Sequence, residues 1–288
     1  MSYYKVLGFQ KEPFSTSPDP EFFYLSCEHE TALTNILIEL RLRRGLSVIL
    51  GDIGTGKTSL SRKLIQELRE REDFIFHMIL DPTFESESQF LNYLLQNFDI
   101  PIANPQANLL ELRETLEKFL FQKGVTEKRT VCLVVDEAQK LNETSLELLR
   151  VLLNYETNEY KLLQLVLLGQ LELHSKIMNM PNFFDRISFK YTLNPLNYED
   201  TKEMIEFRIR QAGYIANMHL FLEEAVREIY QYTRGYPRQI IMFCYKTLKH
   251  LVMKKEIVVS TKLVEDIIQD EVRAGWQRKD LLLQRGNY

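Results

Sequence analysis

The segment Gly51-Asp52-Ile53-Gly54-Thr55-Gly56-Lys57-Thr58 restricts the fold more than any other stretch of the chain. It has the spacing G-x-x-x-x-G-K-[ST]. An apolar run, Leu46 to Leu50, precedes it, and a helical pattern with charged flanks, Lys57 to Glu70, follows. In a strand–loop–helix setting the glycines let backbone N–H groups turn inward around phosphates. The helix N-terminus adds partial positive charge. The pattern predicts that Lys57 reaches the β- and γ-phosphates of a nucleotide and that the Thr58 hydroxyl ligates Mg²⁺. The nucleotide-binding stretch is read as Gly51 to Thr58 together with Ser59.

A second motif supports the first. Val131-Cys132-Leu133-Val134-Val135 is a continuous apolar strand of the kind found inside parallel sheets, and it ends in Asp136-Glu137. Beside a phosphate loop, Asp136 is expected to hold Mg²⁺ directly or through water. Glu137 is expected to polarise the attacking water as general base. One strand-like segment, Phe74 to Leu80, lies between the two motifs in the sequence. That suits a sheet in which another strand separates them and leaves room for the glutamate.

The remaining texture alternates. Helices are read at His29–Arg43, Phe90–Phe98, Leu109–Gln122 and Ser145–Glu156, and further strands at Leu162–Leu168 and Ile187–Leu193. This alternation predicts an α/β sheet covered on both faces. After Pro195 the pattern becomes helical, at Tyr198–Gln211, Leu220–Thr233, Pro237–Met253 and Thr261–Val272, with a short strand at Ile257–Val259. The expected organisation is an N-terminal arm over 1–30, an α/β phosphate-loop domain over 31–194, and a helical domain with tail over 195–288. Pro13, Pro18 and Pro20 exclude a long helix in the arm. Its aromatic residues are expected to pack on the core of the 31–194 domain.

Composition narrows the function classes. With 45% apolar and 26% charged residues the chain is an ordinary globular protein, and 36 basic against 40 acidic residues leave a net charge of −4. A wholly polybasic nucleic-acid binder is excluded, although a local patch is not. Cys27, Cys132 and Cys244 are too few and too scattered for a disulfide framework or a metal-ligand cluster. No apolar run approaches the roughly 18–20 residues that span a bilayer, and Met1 to Gln10 is unlike a signal peptide.

Three polar positions have two readings each. Gln170, after the strand Leu162–Leu168, either senses the γ-phosphate and orients water or is an ordinary loop amide. Arg186, before the last strand, is either an arginine finger for a neighbouring subunit's nucleotide or a surface ion-pair partner. Arg238, after Gly235-Tyr236-Pro237, either reaches the nucleotide or simply opens a helix. From Arg234 to Lys262 seven basic residues face one acid, Glu256, a local net of +6. With Ile240, Cys244, Leu248 and Leu251 inward, the Lys246–Lys255 face is either solvated or able to bind DNA phosphates.

Together these residues resemble an AAA+ ATPase of the branch that includes the general secretion pathway protein A (ExeA-type) proteins. The resemblance runs through Tyr4 to Phe9, Pro13-Phe14-Ser15, Pro18 to Ser26, His29, Ala32-Leu33 and the phosphate loop. It continues in Val135-Asp136-Glu137-Ala138-Gln139, Leu152 to Thr157, Lys161 to Gln164, Gly169-Gln170, Arg186-Ile187 and Gly235-Tyr236-Pro237-Arg238. It implies a three-layer αβα ATPase domain on a parallel five-stranded sheet, followed by a small helical lid domain, with ATP and Mg²⁺ as ligands. It puts Gln170 at sensor 1, Arg186 near the arginine finger and Arg238, with Pro237, at sensor 2. The resemblance also implies that Phe23 and Tyr24 help enclose adenine. It further implies a cytoplasmic homo-oligomer, ring or filament, free or peripheral to a bacterial inner membrane, that works on a protein partner of a secretion, pilus or envelope assembly. Full-length members continue into a membrane segment and a peptidoglycan-binding part, which these 288 residues do not contain. A role in placing secretin through the cell wall is accordingly not expected. The same module also resembles TnsC-like transposition regulators, in which an ATP-gated oligomer binds DNA.

Overall fold

The computed structural model describes residues 2–16, 19–102, 104, 106–215 and 219–275. Pro18 and the tail after Gly275 lie outside them. The chain forms two compact units. One runs from Cys27 to Asn194; the other combines the N-terminal segment up to Ser26 with the chain from Pro195 onward.

The N-terminal segment carries a short helix, α1 (Tyr3–Val6). The first unit opens with α2 (Cys27–Arg41) and continues as β1 (Leu46–Gly51), α3 (Lys57–Arg69), β2 (Phe74–Ile79), α4 (Glu87–Asn97) and α5 (Leu109–Phe121). It then runs through β3 (Thr130–Val135), α6 (Glu143–Leu152), β4 (Leu163–Gly169), α7 (Leu171–Met178), α8 (Pro181–Phe184) and β5 (Ile187–Leu193). The five strands form one parallel sheet in the order β2-β3-β4-β1-β5. Burial follows position. Every residue of β3 and β4 is buried, as a strand covered on both faces requires, whereas the edge strand β5 alternates. The strand between β1 and β3 is β4, not the Phe74–Ile79 strand that separates them in sequence.

Local chemistry sets the helix ends. Ser86, Asn108 and Asn142 accept the first free N–H groups of α4, α5 and α6, and Asn108 forms a full capping box with Glu111. The α6 helix stops at Leu152, short of the expected Glu156. Leu153 and Asn154 donate back to Leu149 and Val151 and close its last turn. Beyond Phe121 the chain makes a π-helical turn over Gln122–Thr126, where a Cβ at the buried Gly124 would come within 2.9 Å of Leu162. The short α7 and α8 were not anticipated from the pattern.

The second unit adds α9 (Tyr198–Gln211), α10 (Glu223–Thr233), α11 (Pro237–Lys254) and α12 (Thr261–Arg273). The strand expected at Ile257–Val259 reduces to a single bridge between Phe221 and Val259. The arm is ordered around aromatic burial, but its partners are these helices. Phe9, Phe14 and Phe22 share a core with Met204, Phe221 and Ile240. The buried Arg208 guanidinium on α9 donates to the carbonyls of Pro13, Phe22 and Ser15 at 2.8, 2.8 and 2.9 Å. A stretch whose only regular element is the 3-10 turn Pro20–Phe22 must place its carbonyls somewhere, and one five-donor fork satisfies three of them. Cys27 is exposed and Cys132 and Cys244 are buried; all three are free. Among the described residues no helix is long and apolar enough to cross a membrane, and no group of residues could hold a metal by side-chain clustering of His, Cys, Asp and Glu alone.

Candidate active site

The phosphate loop leaves the C-terminal end of β1 and enters α3 through Gly56, whose φ of 101° is left-handed. Glycine is needed twice over at that position. A side chain would be strained, and its Cβ would lie 2.6 Å from Nε2 of His29. A Cβ at Gly51 would lie 2.7 Å from Thr55 Oγ1 and 3.1 Å from the Leu193 carbonyl oxygen. The loop is braced from within. Thr55 Oγ1 donates to the Asp52 carbonyl at 2.9 Å, and the N–H of Ile53 donates to the Asp52 carboxylate at 2.6 Å.

Lys57 is 6% exposed. Its ammonium donates to the carbonyls of Gly51 at 2.8 Å and Asp52 at 2.9 Å, which leaves one of its three hydrogens for an anion. Burial pushes its pKa down, while the nearby charges of Glu137, Asp136 and Asp52 oppose the shift. Asp136 is 1% exposed, at the end of β3. Burial holds its carboxyl above the ordinary aspartate range, against hydrogen bonds from the Thr58 hydroxyl and the Glu137 N–H. A buried carboxylate that accepts from the hydroxyl of the half-buried Thr58 is an oxygen donor pair suited to a hard divalent cation. The crowded glycines, the free Lys57 hydrogen and the Thr58–Asp136 pair together fit a phosphate chain with Mg²⁺.

Glu137 follows Asp136 in a left-handed conformation, φ 52°. Its carboxylate accepts from Gln139 Nε2 at 2.7 Å and, at a long 3.5 Å, from Gln170 Nε2. Because β4 lies between β1 and β3, its C-terminal Gln170 stands between the two motifs. Lys57, Thr58, Asp136, Glu137 and Gln170 thus converge at one sheet edge. His29, Ser61, Gln139 and Lys176 also belong here. Ser61 donates to the Thr58 carbonyl at 3.0 Å and reaches the Asp136 carboxylate at 3.4 Å, and His29 Nε2 lies 2.9 Å from the Thr55 carbonyl oxygen. Gln139 and His29 fall in stretches that carry the family resemblance, without a role read for either; Ser61 and Lys176 reach the site only through the fold.

Arg186 sits elsewhere. It precedes β5, at the opposite end of the strand from Leu193, the partner of Gly51. It donates to Asn154 Oδ1 at 2.7 Å and to the Asn182 carbonyl. Phe23, Tyr24, Pro237 and Arg238 belong to the helical unit, where the family resemblance alone links them to nucleotide. The Tyr24 hydroxyl is 2.7 Å from Glu203 and 3.2 Å from Asp200, and its ring packs on Phe207. Pro237 opens α11, with Arg238 exposed beside it. On the basic face of α11, Lys246 pairs with Glu271 and Lys254 with Asp266, both acids of α12. Lys249 lies 5.3 Å over the Tyr245 ring.

The family model described as AAA domain matches residues 17–177. Over 248 residues, 85% of this chain, the sequence is 34% identical to general secretion pathway protein A of Aeromonas hydrophila. The match covers 44% of that relative, so the chain spans less than half of its length. Similar solved structures include the Aeropyrum pernix ORC2 protein in its ADPNP-ADP complexes (TM-score 0.65, 16% identity, 90% of this chain and 71% of that one). Cdc6p from Pyrobaculum aerophilum gives 0.62 at 19% identity, over 86% and 67%. The Thermotoga maritima RuvB Holliday junction branch migration motor gives 0.53 at 16%, over 83% and 68%. At such identities the structural likeness establishes the fold.

Proposed function

The chain belongs to the AAA ATPase family, and we propose that it hydrolyses Mg·ATP as a homo-oligomer that remodels or assembles a protein partner. The observation that carries this reading is the convergence of Lys57 and Thr58, after β1, with Asp136 and Glu137, after β3, at the same edge of the sheet on either side of β4. Thr58 and Asp136 would hold Mg²⁺, which when bound supplies charge neutralisation on the phosphates. The loop N–H groups from Gly51 to Ser59 and the N-terminus of α3 orient the phosphate chain. The Lys57 ammonium places a positive charge where negative charge develops. Glu137 accepts the proton of the attacking water at its carboxylate, and Gln170 orients that water. Arg186 serves the nucleotide of the next subunit. Arg238 acts from the lid, and Phe23, Tyr24 and Pro237 border the base.

The relationship to general secretion pathway protein A supports a protein partner of secretion, pilus or envelope type, met in the cytoplasm or at the inner membrane. The ion pairs of Lys246 and Lys254 with α12 weigh against the Lys246–Lys255 face as a DNA-binding surface. The test is steady-state Mg·ATP hydrolysis across protein concentration, with and without double-stranded DNA, for the native chain and Glu137→Gln. The expected result is a rate per subunit that rises with concentration, ignores DNA and collapses in the variant. A rate that jumps with DNA would transfer the reading to an ATP-gated DNA-binding regulator. A variant with native turnover would sink the mechanism.

A further inference from the structure

Glu137 has a backbone conformation that a residue with a Cβ adopts at a cost, so its neighbours must hold it. Its main-chain N–H donates to the Asp136 carboxylate at 2.9 Å. Its side chain is held chiefly by Gln139, whose amide is engaged at both ends. Nε2 donates to the Glu137 carboxylate at 2.7 Å, and Oε1 accepts the backbone N–H of Gln170 at 3.0 Å. An acceptor-only carboxylate on one side and an N–H donor on the other permit only one orientation of the amide. The turn that carries Gln139 is itself pinned. Lys176 of α7 donates to the carbonyls of Gln139 at 2.5 Å and Leu141 at 2.8 Å. Gln170 is the residue that caps α7. The end of β4, the first turns of α7 and the carboxylate of Glu137 are therefore joined through one side chain.

We propose that Gln139 is a positioning residue that sets the Glu137 carboxylate and ties its direction to the end of β4. The proposal rests on the reading of Glu137 as general base. Gln139 need not touch nucleotide. It acts by limiting the carboxylate to one rotamer and by moving it whenever Gln170 moves. Removing it frees the carboxylate of its one short side-chain hydrogen bond, so the loss should fall on turnover and leave nucleotide affinity alone. A base displaced by about 1 Å loses roughly 10- to 100-fold in rate.

The experiment is a double-mutant cycle on the full chain with Gln139→Ala, Glu137→Gln and the pair, following kcat, KM and the Tm increment produced by Mg·ATP. The expected result is a kcat at least about 10-fold lower in Gln139→Ala, with KM within about 2-fold and an undiminished Tm increment. The double variant should turn over no more slowly than Glu137→Gln alone, because Gln139 acts only through that carboxylate. Native kcat in Gln139→Ala, a change confined to KM, or a full additional loss on top of Glu137→Gln would overturn the assignment while leaving Glu137 as base. Native turnover in Glu137→Gln would remove the base and this inference with it. A Gln139→Ala protein that failed to fold would show no Mg·ATP increment. Gln139→Glu, which keeps the acceptor for Gln170 but offers Glu137 no donor, then takes its place, and an unchanged kcat in that variant would likewise overturn the proposal.

Discussion

The imidazole Nε2 of His29 lies 2.9 Å from the carbonyl oxygen of Thr55, so a helix that precedes β1 fixes the peptide immediately before Gly56. The same ring atom is where a Cβ on Gly56 would collide. Gly56→Ala is therefore expected to meet two penalties, a left-handed φ of 101° and a 2.6 Å contact. Together they should cost on the order of 2–4 kcal/mol and at least about 10-fold in Mg·ATP affinity. Adding His29→Ala relieves the contact but not the backbone strain. The double variant should recover part of the stability in urea unfolding, while affinity stays low. Full recovery would show that the left-handed backbone carries no cost.

Asp136 offers a separation of stability from function. Burial raises its pKa, and the Thr58 hydroxyl and Glu137 N–H only partly offset the shift. A carboxyl whose folded pKa exceeds its unfolded value is a burden in its ionised form. That burden is complete above the folded pKa, shrinks as pH falls through it, and is gone below the unfolded value of about 4. Asp136→Asn keeps an oxygen for the Glu137 N–H and drops the charge. At pH 7 the nucleotide-free variant should melt roughly 2–4 °C higher than the native chain, and the gap should close toward pH 4. The Mg²⁺-dependent part of the protection by ATP should disappear at the same time. A variant that melts lower at pH 7 would mean that Asp136 contributes more through its hydrogen bonds than it costs as a buried charge.

These two sites differ in how they could be read from the chain. The loop from Gly51 to Thr58 is legible because its chemistry is local: eight consecutive residues specify turn, helix start and ammonium. Strands β3 and β4 are legible because a doubly covered strand must be apolar throughout. Strand order is not, since nothing in Leu163–Gly169 states that it pairs with β1 rather than with β2. The position of Gln170 between the motifs was therefore open until the sheet was assembled. The surroundings of the basic run from Arg234 to Lys262 were hidden for the same reason. The acids that pair with Lys246 and Lys254, Glu271 and Asp266, arrive later in the sequence, on α12. The arm's aromatic residues announced burial but pointed to the wrong partner, the core of the 31–194 domain, because the helices they pack on and the Arg208 fork that orders them lie almost 200 residues away.

Arg208 makes the arm a stability element of the helical unit. Its pKa falls to about 10 through burial, so it stays charged at neutral pH. Arg208→Met leaves the carbonyls of Pro13, Ser15 and Phe22 without their donor inside an apolar cluster. The expected loss is about 3 kcal/mol or more in urea unfolding. Tryptic cleavage at Lys5 and Lys11 should accelerate by roughly 10-fold or more as the arm detaches. Arg208→Lys should lie between, because an ammonium tip cannot reach three carbonyls in a fixed plane. Unchanged proteolysis in Arg208→Met would show that the aromatic residues alone hold the arm.

Arg186 cannot serve its own phosphate loop through the sheet. The seven residues Ile187–Leu193 separate it from the level of Gly51, and at about 3.3 Å per residue that is roughly 20 Å, beyond any arginine side chain. If it completes a neighbour's site, loss of the guanidinium and loss of the loop lysine reside in different subunits and can complement. Arg186→Ala and Lys57→Ala should each be nearly inactive alone, yet their mixture should regain a measurable share of native turnover. In the mixture an intact loop of one chain meets the intact arginine of the other. Asn154→Ala, which removes only the 2.7 Å contact to Arg186, is the control for local structure and should retain most activity. A mixture as inactive as its components would confine Arg186 to the Asn154 and Asn182 contacts of its own chain.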